Sequence, residues 1–291
     1  MNRRGHEIQR NHEKQRNKNH ASGKGKKSHF HHRPPRHPDA MSALPPGERI
    51  FGKHSVRAVF LTRPGAIRRM IIAGKESYHE EFLQLASQFD IKPEFMEWPA
   101  FLRLGHFADD EKHQGIFVLA DARKVYSEAD FDTLEDAKVL LALDQISNPQ
   151  NFATILRSAA FFGVDAVITL CDRSVDTSPE VVRYAVGGAE FVKIFRVTNL
   201  SQALVALKEY GFGAIGLDER GEHSLAQTEF PERVILVVGA EGEGLRQKTK
   251  KYCDALVRIP GGRRGLESLN AGVATAIALS EIFRERQPPL R

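Results

Sequence analysis

The sequence predicts an α/β protein: a mainly parallel sheet with helices on both faces, preceded by a smaller α/β domain and a basic tail. From Ala137 onward, short apolar runs alternate with helical periodicity, and Val139-Leu140-Leu141-Ala142-Leu143 is apolar at every position, as in a strand buried on both faces. The 291 residues, 41% of them hydrophobic, are enough for two domains with their own cores. Charge divides the chain as well. Residues 1–40 hold 11 Lys/Arg against 3 Asp/Glu, a balance of +8, which leaves 31 against 34, or −3, for the remainder of a chain whose net charge is +5.

Residues 1–45 form the tail. They carry seven His and almost no aliphatic side chains, too little apolar surface to fold alone, so they read as a flexible cation suited to a polyphosphate. His29, His31, His32 and His37 lack ordered neighbours to complete a metal site, and no metal is expected. Order begins near Arg49, after the break at Leu44-Pro45-Pro46-Gly47. A small α/β domain over 48–123 follows. It comprises Ser55 to Phe60, the turn Arg63-Pro64-Gly65, a strand at Met70 to Ala73, a helix at Glu80 to Phe89 and a strand at Ile116 to Ala120. The charged, weakly periodic residues 124–136 read as a linker.

Residues 137–286 make the larger domain. After the strand at 139–143 come a helix at Ala153 to Phe162, a strand at Ala166 to Leu170 and a helix starting near Ser178-Pro179-Glu180. A strand at Val192 to Val197, a helix at Leu200 to Tyr210, and strands at Gly213 to Leu217, Val234 to Val238 and Leu256 to Ile259 precede a final helix, Leu269 to Arg286. Strand–helix alternation of this kind places ligands at the carboxyl ends of the strands. Cys171 and Cys253 are too few for a disulfide framework and lack metal-ligand spacing, which points to core thiols in a reducing cytoplasm. No apolar run approaches the ~20 residues that span a bilayer, and no apolar signal core opens the chain, so no membrane partner is expected.

Three clusters lie at those carboxyl ends. Asp144 to Asn151 runs from the buried strand into the next helix, with Arg157 six residues beyond Asn151; alone, Asn151 suits an N-cap and Arg157 a surface ion pair. Gly239-Ala240-Glu241-Gly242-Glu243-Gly244-Leu245 follows the strand at 234–238. Its glycines allow close approach to a ligand, but the spacing is not G-x-G-x-x-G, no P-loop Lys is present, and Glu241 and Glu243 would repel a pyrophosphate. A cationic, phosphate-free ligand suits that loop better than a dinucleotide. Arg258 to Asn270 joins a strand to the last helix. Ser268 or Asn270 there suits a helix cap, while Arg263 and Arg264 add two anion-binding forks to a glycine-rich loop.

In order and context the clusters resemble the three motifs of the SpoU (TrmH-like) RNA methyltransferases. Leu143-Asp144 through Asn151, with Arg157 and Phe162-Gly163-Val164, resembles the first; Val238 to Leu245 the second; Ile259-Pro260 with Ser268-Leu269-Asn270 the third. Ser178 to Val192, with Gly187-Gly188-Ala189-Glu190, is also similar to the family. Residues 49–123 resemble the small RNA-binding domain that precedes the catalytic domain in many members, with Ile50-Phe51-Gly52-Lys53-His54-Ser55-Val56 at its opening and His113-Gln114-Gly115 near its end. The spacing from Pro260 to Ser268 is one residue longer than in the common third motif, which bears on substrate choice.

This resemblance implies a C-terminal trefoil knot, a homodimer, S-adenosylmethionine as cofactor, and methylation of a ribose 2′-hydroxyl in structured RNA, rRNA or tRNA. It implies cofactor contacts at Val238, Gly239, Ala240, Glu241, Gly242, Gly244, Ile259 and Leu269, and a reactive cluster of Asn151, Arg157, Glu241, Ser268 and Asn270. Lys53, His54, Arg263 and Arg264 are the expected RNA contacts. Pattern alone would give an unknotted doubly wound sheet, since knots are rare. Two other classes fit the resemblance: a base-methylating relative with the same knotted fold, and a non-catalytic RNA-binding or ribosome-assembly factor.

Overall fold

The computed structural model describes residues 47–107, 111–172, 174–175, 179–261 and 268–287. The basic tail, Arg263 and Arg264 lie outside the described residues. In the small domain, β1 (Glu48–Phe51), α1 (Lys53–Thr62), β2 (Ile67–Ala73), α2 (Glu80–Gln88), β3 (Pro93–Met96), α3 (Trp98–Gly105) and β4 (Ile116–Ala120) build a four-stranded sheet of order β1-β4-β2-β3. Here β4 runs antiparallel to β1 and β2, and β3 is parallel to β2. Met70, Ile72, Ile116 and Val118 pack on one face with Phe60 and Phe82, while Ile71, Ala73, Phe117 and Leu119 pack on the other with Phe101. The pair β3 and α3 was not expected from sequence. Pro93 and Pro99 interrupt a stretch too short for clear periodicity, yet Pro99 falls in the first turn of α3, where its missing N–H costs nothing.

The larger domain carries β5 (Val139–Asp144), α4 (Pro149–Phe161), β6 (Ala166–Leu170), α5 (Pro179–Tyr184), β7 (Lys193–Val197), α6 (Leu200–Glu209), β8 (Gly213–Leu217), β9 (His223–Ser224), β10 (Val234–Gly239), α7 (Gln247–Lys250), β11 (Ala255–Arg258) and α8 (Ala271–Arg286). Its seven strands are all parallel, in the order β7-β6-β5-β10-β8-β11-β9. Alternation along β5 explains its unbroken apolar sequence. Leu141 and Leu143 join Phe152, Leu156 and Leu279 on one face, whereas Leu140 and Ala142 join Leu200, Leu204 and Leu207 on the other. Helices therefore cover both sides, as the strand composition requires.

Two local readings differ from expectation. Helix α4 begins at Pro149, not Ala153, because Asn148 caps it: Asn148 Oδ1 accepts from the backbone N–H of Gln150 at 2.8 Å and of Asn151 at 3.3 Å. Asn151, which alone suits an N-cap, is thus already inside the first turn. Residues 124–136, read as a linker, join the two sheets and also pack. Tyr126 hydrogen-bonds along the edge of β7 and stacks on Phe195 at 5.0 Å, and a Ser127–Asp130 capping box starts a 3₁₀ turn that buries Phe131 and Leu134.

Candidate active site

The ends of β8, β10 and β11 and the start of α8 enclose a cavity of about 780 Å³. Chain geometry closes the loop after β10 on itself. The backbone N–H of Gly244 donates to the Ala240 carbonyl at 2.9 Å, and Gly242 and Gly244 take positive φ of 78° and 65°. A Cβ on Gly239 would lie 2.1 Å from the Gly244 carbonyl carbon. Only glycine fits there. This tight turn presents Val238 through Leu245 to the cavity, which Ile259, Ser268 and Leu269 also line. All the expected cofactor contacts are therefore gathered around one space. Leu217, Asp218, Glu219, Arg220, Arg246, Lys250, Ala274 and Ile277 add to its wall. Sequence reading missed these, although Leu217 ends β8 and Asp218 to Arg220 directly follow it, where such a sheet places ligands.

The electrostatics of the wall follow from which charges are already paired. Asp144, fully buried at the end of β5, accepts from Arg246 Nε at 2.7 Å and from the Arg246 backbone N–H at 3.1 Å, tying the far end of the glycine loop to the sheet. Lys250 pairs with Asp218 at 2.5 Å. Burial pushes the Asp218 carboxyl up, but the Lys250 ammonium and the Arg220 backbone N–H outweigh it and hold it below the usual carboxylate range. Arg258 donates to the carbonyls of Gly221 and Glu222. Among the described residues, Glu241 and Glu243 have no cation partner. Arg246, Lys250 and Arg258 are thus committed, Arg220 meets only its exposed neighbour Glu219 at 3.6 Å, and the loop carboxylates have no cation, so the glycine-loop side of the cavity favours a positively charged ligand.

Asn270 is both a cap and a bridge. Its Oδ1 accepts from the N–H groups of Gly272 at 2.9 Å and Val273 at 3.2 Å, starting α8; its Nδ2 donates to Asn151 Oδ1 at 2.9 Å and to Glu241 Oε1 at 2.6 Å. One amide thus joins the first, second and third motif clusters. Asn151 is 7% exposed, whereas Glu241, Ser268 and Asn270 are exposed. Arg157 stands apart. It lies on an exposed face of α4, does not line the cavity, and its guanidinium has no hydrogen bond or ion pair among the described residues.

The expected RNA contacts are on the small domain and outside it. Lys53 is half-buried, its Nζ donating to the Tyr78 carbonyl at 2.5 Å, while His54 is exposed beside a second cavity of about 680 Å³ shared with Lys112, Gln114 and Tyr184. Among the described residues no His/Cys/Asp/Glu group is arranged to hold a metal, and no helix is long and apolar enough to cross a membrane. Burial pushes the Cys253 thiol up to about 12, as for a core thiol, but Cys171, also expected in the core, is exposed because β6 ends at Leu170.

The SpoU rRNA Methylase family profile matches residues 138–280. The 23S rRNA (guanosine-2′-O-)-methyltransferase RlmB of Escherichia coli K12 is 35% identical over 243 residues, covering 82% of this chain and 99% of the relative. The chain belongs to the SpoU rRNA methylase family. RlmB of Neisseria meningitidis serogroup B is 36% identical over 81% of the chain and 95% of its own length. In fold, this SpoU chain is similar to the SpoU methyltransferase AviRb of Streptomyces viridochromogenes, solved with AdoMet (TM-score 0.65, 20% identity, 82% of this chain and 90% of that one). It is similar also to an AdoMet-bound rRNA methyltransferase of Sinorhizobium meliloti (TM-score 0.64, 20% identity, 82% and 88%). The alignments to these relatives, 241 and 243 residues long, reach well beyond the 138–280 that the family profile matches.

Proposed function

We propose that this protein is an S-adenosylmethionine-dependent methyltransferase acting on a ribose 2′-hydroxyl of ribosomal RNA, and that the guanosine of 23S rRNA specified by its relatives' names is its substrate. The observation that carries this reading is the Asn151–Asn270–Glu241 bridge at the rim of a cavity whose Arg246, Lys250 and Arg258 are committed and whose loop carboxylates have no cation. Its volume falls within the ~300–1,000 Å³ usual for cofactor sites. These features suit a sulfonium ligand held by the backbone from Val238 to Gly244, with Ile259 and Leu269 flanking it. We also propose the trefoil knot, a homodimer and a cytoplasmic place of action. Insertion of β8 between β10 and β11 supports the knot, and the exposed Phe161, Val273 and Phe283 of α4 and α8 support the dimer.

The bound cofactor supplies an electrophilic methyl group. A ribose hydroxyl is a weak nucleophile at neutral pH, so the protein must align it and favour its alkoxide. Asn151 and Glu241 hold the Asn270 amide from two sides, which fixes the rim against which the ribose lies. Ser268, exposed at the same rim, donates a hydrogen bond to the reacting oxygen or relays the proton it loses away to solvent. Arg157 cannot act as a base, because a guanidinium stays protonated; with no protein partner among the described residues, it is a free two-pronged fork for a phosphate or the developing alkoxide. Outside the described residues, Arg263, Arg264 and the tail supply sequence-blind phosphate contacts.

Calorimetry and a single-turnover assay test the proposal together. The protein binds S-adenosylmethionine and its demethylated product but not NAD, and mass spectrometry of digested 23S rRNA finds 2′-O-methylguanosine. Arg157→Ala and Arg157→Lys slow transfer ~100- to 1000-fold while cofactor affinity survives. A methyl group on a base, or NAD binding in place of S-adenosylmethionine, would overturn the reading.

A further inference from the structure

The turn at 187–190, between α5 and β7, touches both domains, and at each contact a glycine makes room. On the small-domain side, a Cβ at Gly187 would lie 2.8 Å from Ala58 Cβ and 3.1 Å from the His54 carbonyl oxygen, so α1 rests on the turn. On the other side, a Cβ at Gly188 would lie 2.8 Å from Arg157 Cα and 3.0 Å from the Leu156 carbonyl oxygen. The same turn therefore presses on the backbone of α4 at the residue that carries the free guanidinium. Val186, immediately before the turn, is held at a strained φ of 51°, and Gly187 takes a φ of 84° that glycine alone adopts freely. A β-branched residue adopts positive φ only where its surroundings over-determine it.

Glu190 anchors this turn. Its side chain is 2% exposed and accepts from Arg63 Nε at 2.7 Å and from Arg123 Nη2 at 3.0 Å, while Arg123 Nη1 donates to the Ala189 carbonyl at 3.1 Å. Glu48 closes the group from the far side, accepting from Arg63 Nη2 at 2.7 Å and from Arg123 Nε at 3.0 Å. Two guanidiniums and two carboxylates thus alternate. Of the four, Glu190 alone comes from the larger domain. Without its charge, two largely buried guanidiniums would share one carboxylate, and the docked face would loosen.

We infer that the turn at 187–190 is a positioning element that couples docking of the small domain to the placement of Arg157, with Glu190 as the anchor and Gly188 as the contact. The inference rests on the proposed role of Arg157 in methyl transfer. It requires no change at the cofactor cavity, since none of these residues lines that space. RNA held by the small domain then meets an Arg157 fixed by the same turn, so substrate register and the reacting geometry are set together.

Hydrogen exchange on the full chain and a double-mutant cycle test this. Glu190→Gln raises amide exchange about tenfold in α1 and, in step, at Leu156 and Arg157, with α6 unchanged as the internal control. Gly188→Ala, whose added methyl displaces the α4 backbone, does so at Leu156 and Arg157 and slows single-turnover methyl transfer by about 10- to 100-fold, as misplacement by about an ångström does. S-adenosylmethionine affinity stays within about threefold in both variants, in keeping with a separate cavity. On an Arg157→Ala background, Gly188→Ala adds less than about threefold, because both changes act through one group. Exchange confined to α1, or a fully additive cycle, overturns the inference. Near-normal transfer by Arg157→Ala alone removes the role of Arg157 and the inference with it, a pattern distinct from slow but additive variants. Should Glu190→Gln fail to fold, Gly188→Ala carries both measurements.

Discussion

Gly188-Ala189-Glu190 and Gly239-Ala240-Glu241 are the same tripeptide in opposite surroundings. The Glu190 side chain is 2% exposed and held by two guanidiniums, one from the α1–β2 turn and one from just after β4; Glu241 is exposed and held by a single amide. In the first turn the cations Arg63 and Arg123 arrive across a domain junction. In the second, the nearby cations are already committed to Asp144, Asp218 and backbone carbonyls. The surroundings of a carboxylate after a glycine turn are therefore set by which cations the fold leaves uncommitted, and one copy is locked into a buried ion group while the other faces an open cavity.

The largest expected effect separates the two directly. Glu190→Ala leaves a broken buried ion group and lowers the unfolding free energy by ~3–5 kcal/mol in urea denaturation. Glu241→Ala, at an exposed position, shifts it by less than ~1 kcal/mol, yet slows methyl transfer. Equal stability losses in the two variants would erase the distinction.

Asn270 sharpens the ligand-facing half, because its two ends do different work. Asn270→Ala removes the helix cap and costs ~1 kcal/mol of stability. Asn270→Asp keeps a capping oxygen for α8, so any stability it loses reports the bridge and not the cap. It nevertheless loses both donor bonds and sets a carboxylate against Glu241, so methyl transfer falls about tenfold or more. Full activity in Asn270→Asp would mean that the bridge to Asn151 and Glu241 does not organise the site.

A smaller effect probes the anchoring half through pH. Burial pushes the Glu48 carboxyl up, but the Arg123 and Arg63 guanidiniums outweigh it and hold it below its ordinary value of 4.5. A carboxyl with a depressed folded pKa contributes stability that is present above the unfolded value and is lost as pH falls through the folded one. Stability measured by denaturation should therefore decline below about pH 4.5 with a slope that Glu48→Gln reduces. An unchanged slope would show that this network does not sense protonation of Glu48.

Much of this was legible in the sequence because burial on both faces leaves a direct mark. The strands at 116–120, 166–170 and 213–217 lie where their apolar runs ended, and the three motif clusters lie at strand ends, as the alternation of elements required. Less visible were elements whose stability comes from outside themselves. The start of α4 depends on Asn148 and Pro149, which read equally well as a loop, and β3 and α3 are short pieces held by packing on the small sheet. Glu190 was only one residue of a family-like stretch, because its partner Arg63 is 127 residues away.

Composition and periodicity by themselves determined that this chain forms parallel strands covered by helices, and the motif clusters could be placed at strand ends, because those features are local along the chain. Only tertiary structure decided that the Asn270 amide would join Asn151 and Glu241, that Arg157 would stand outside the cavity, and that two identical tripeptides would meet opposite surroundings. Each of those outcomes depends on which charges and backbones meet across 29 to 127 residues of intervening chain, and no local pattern encodes that meeting.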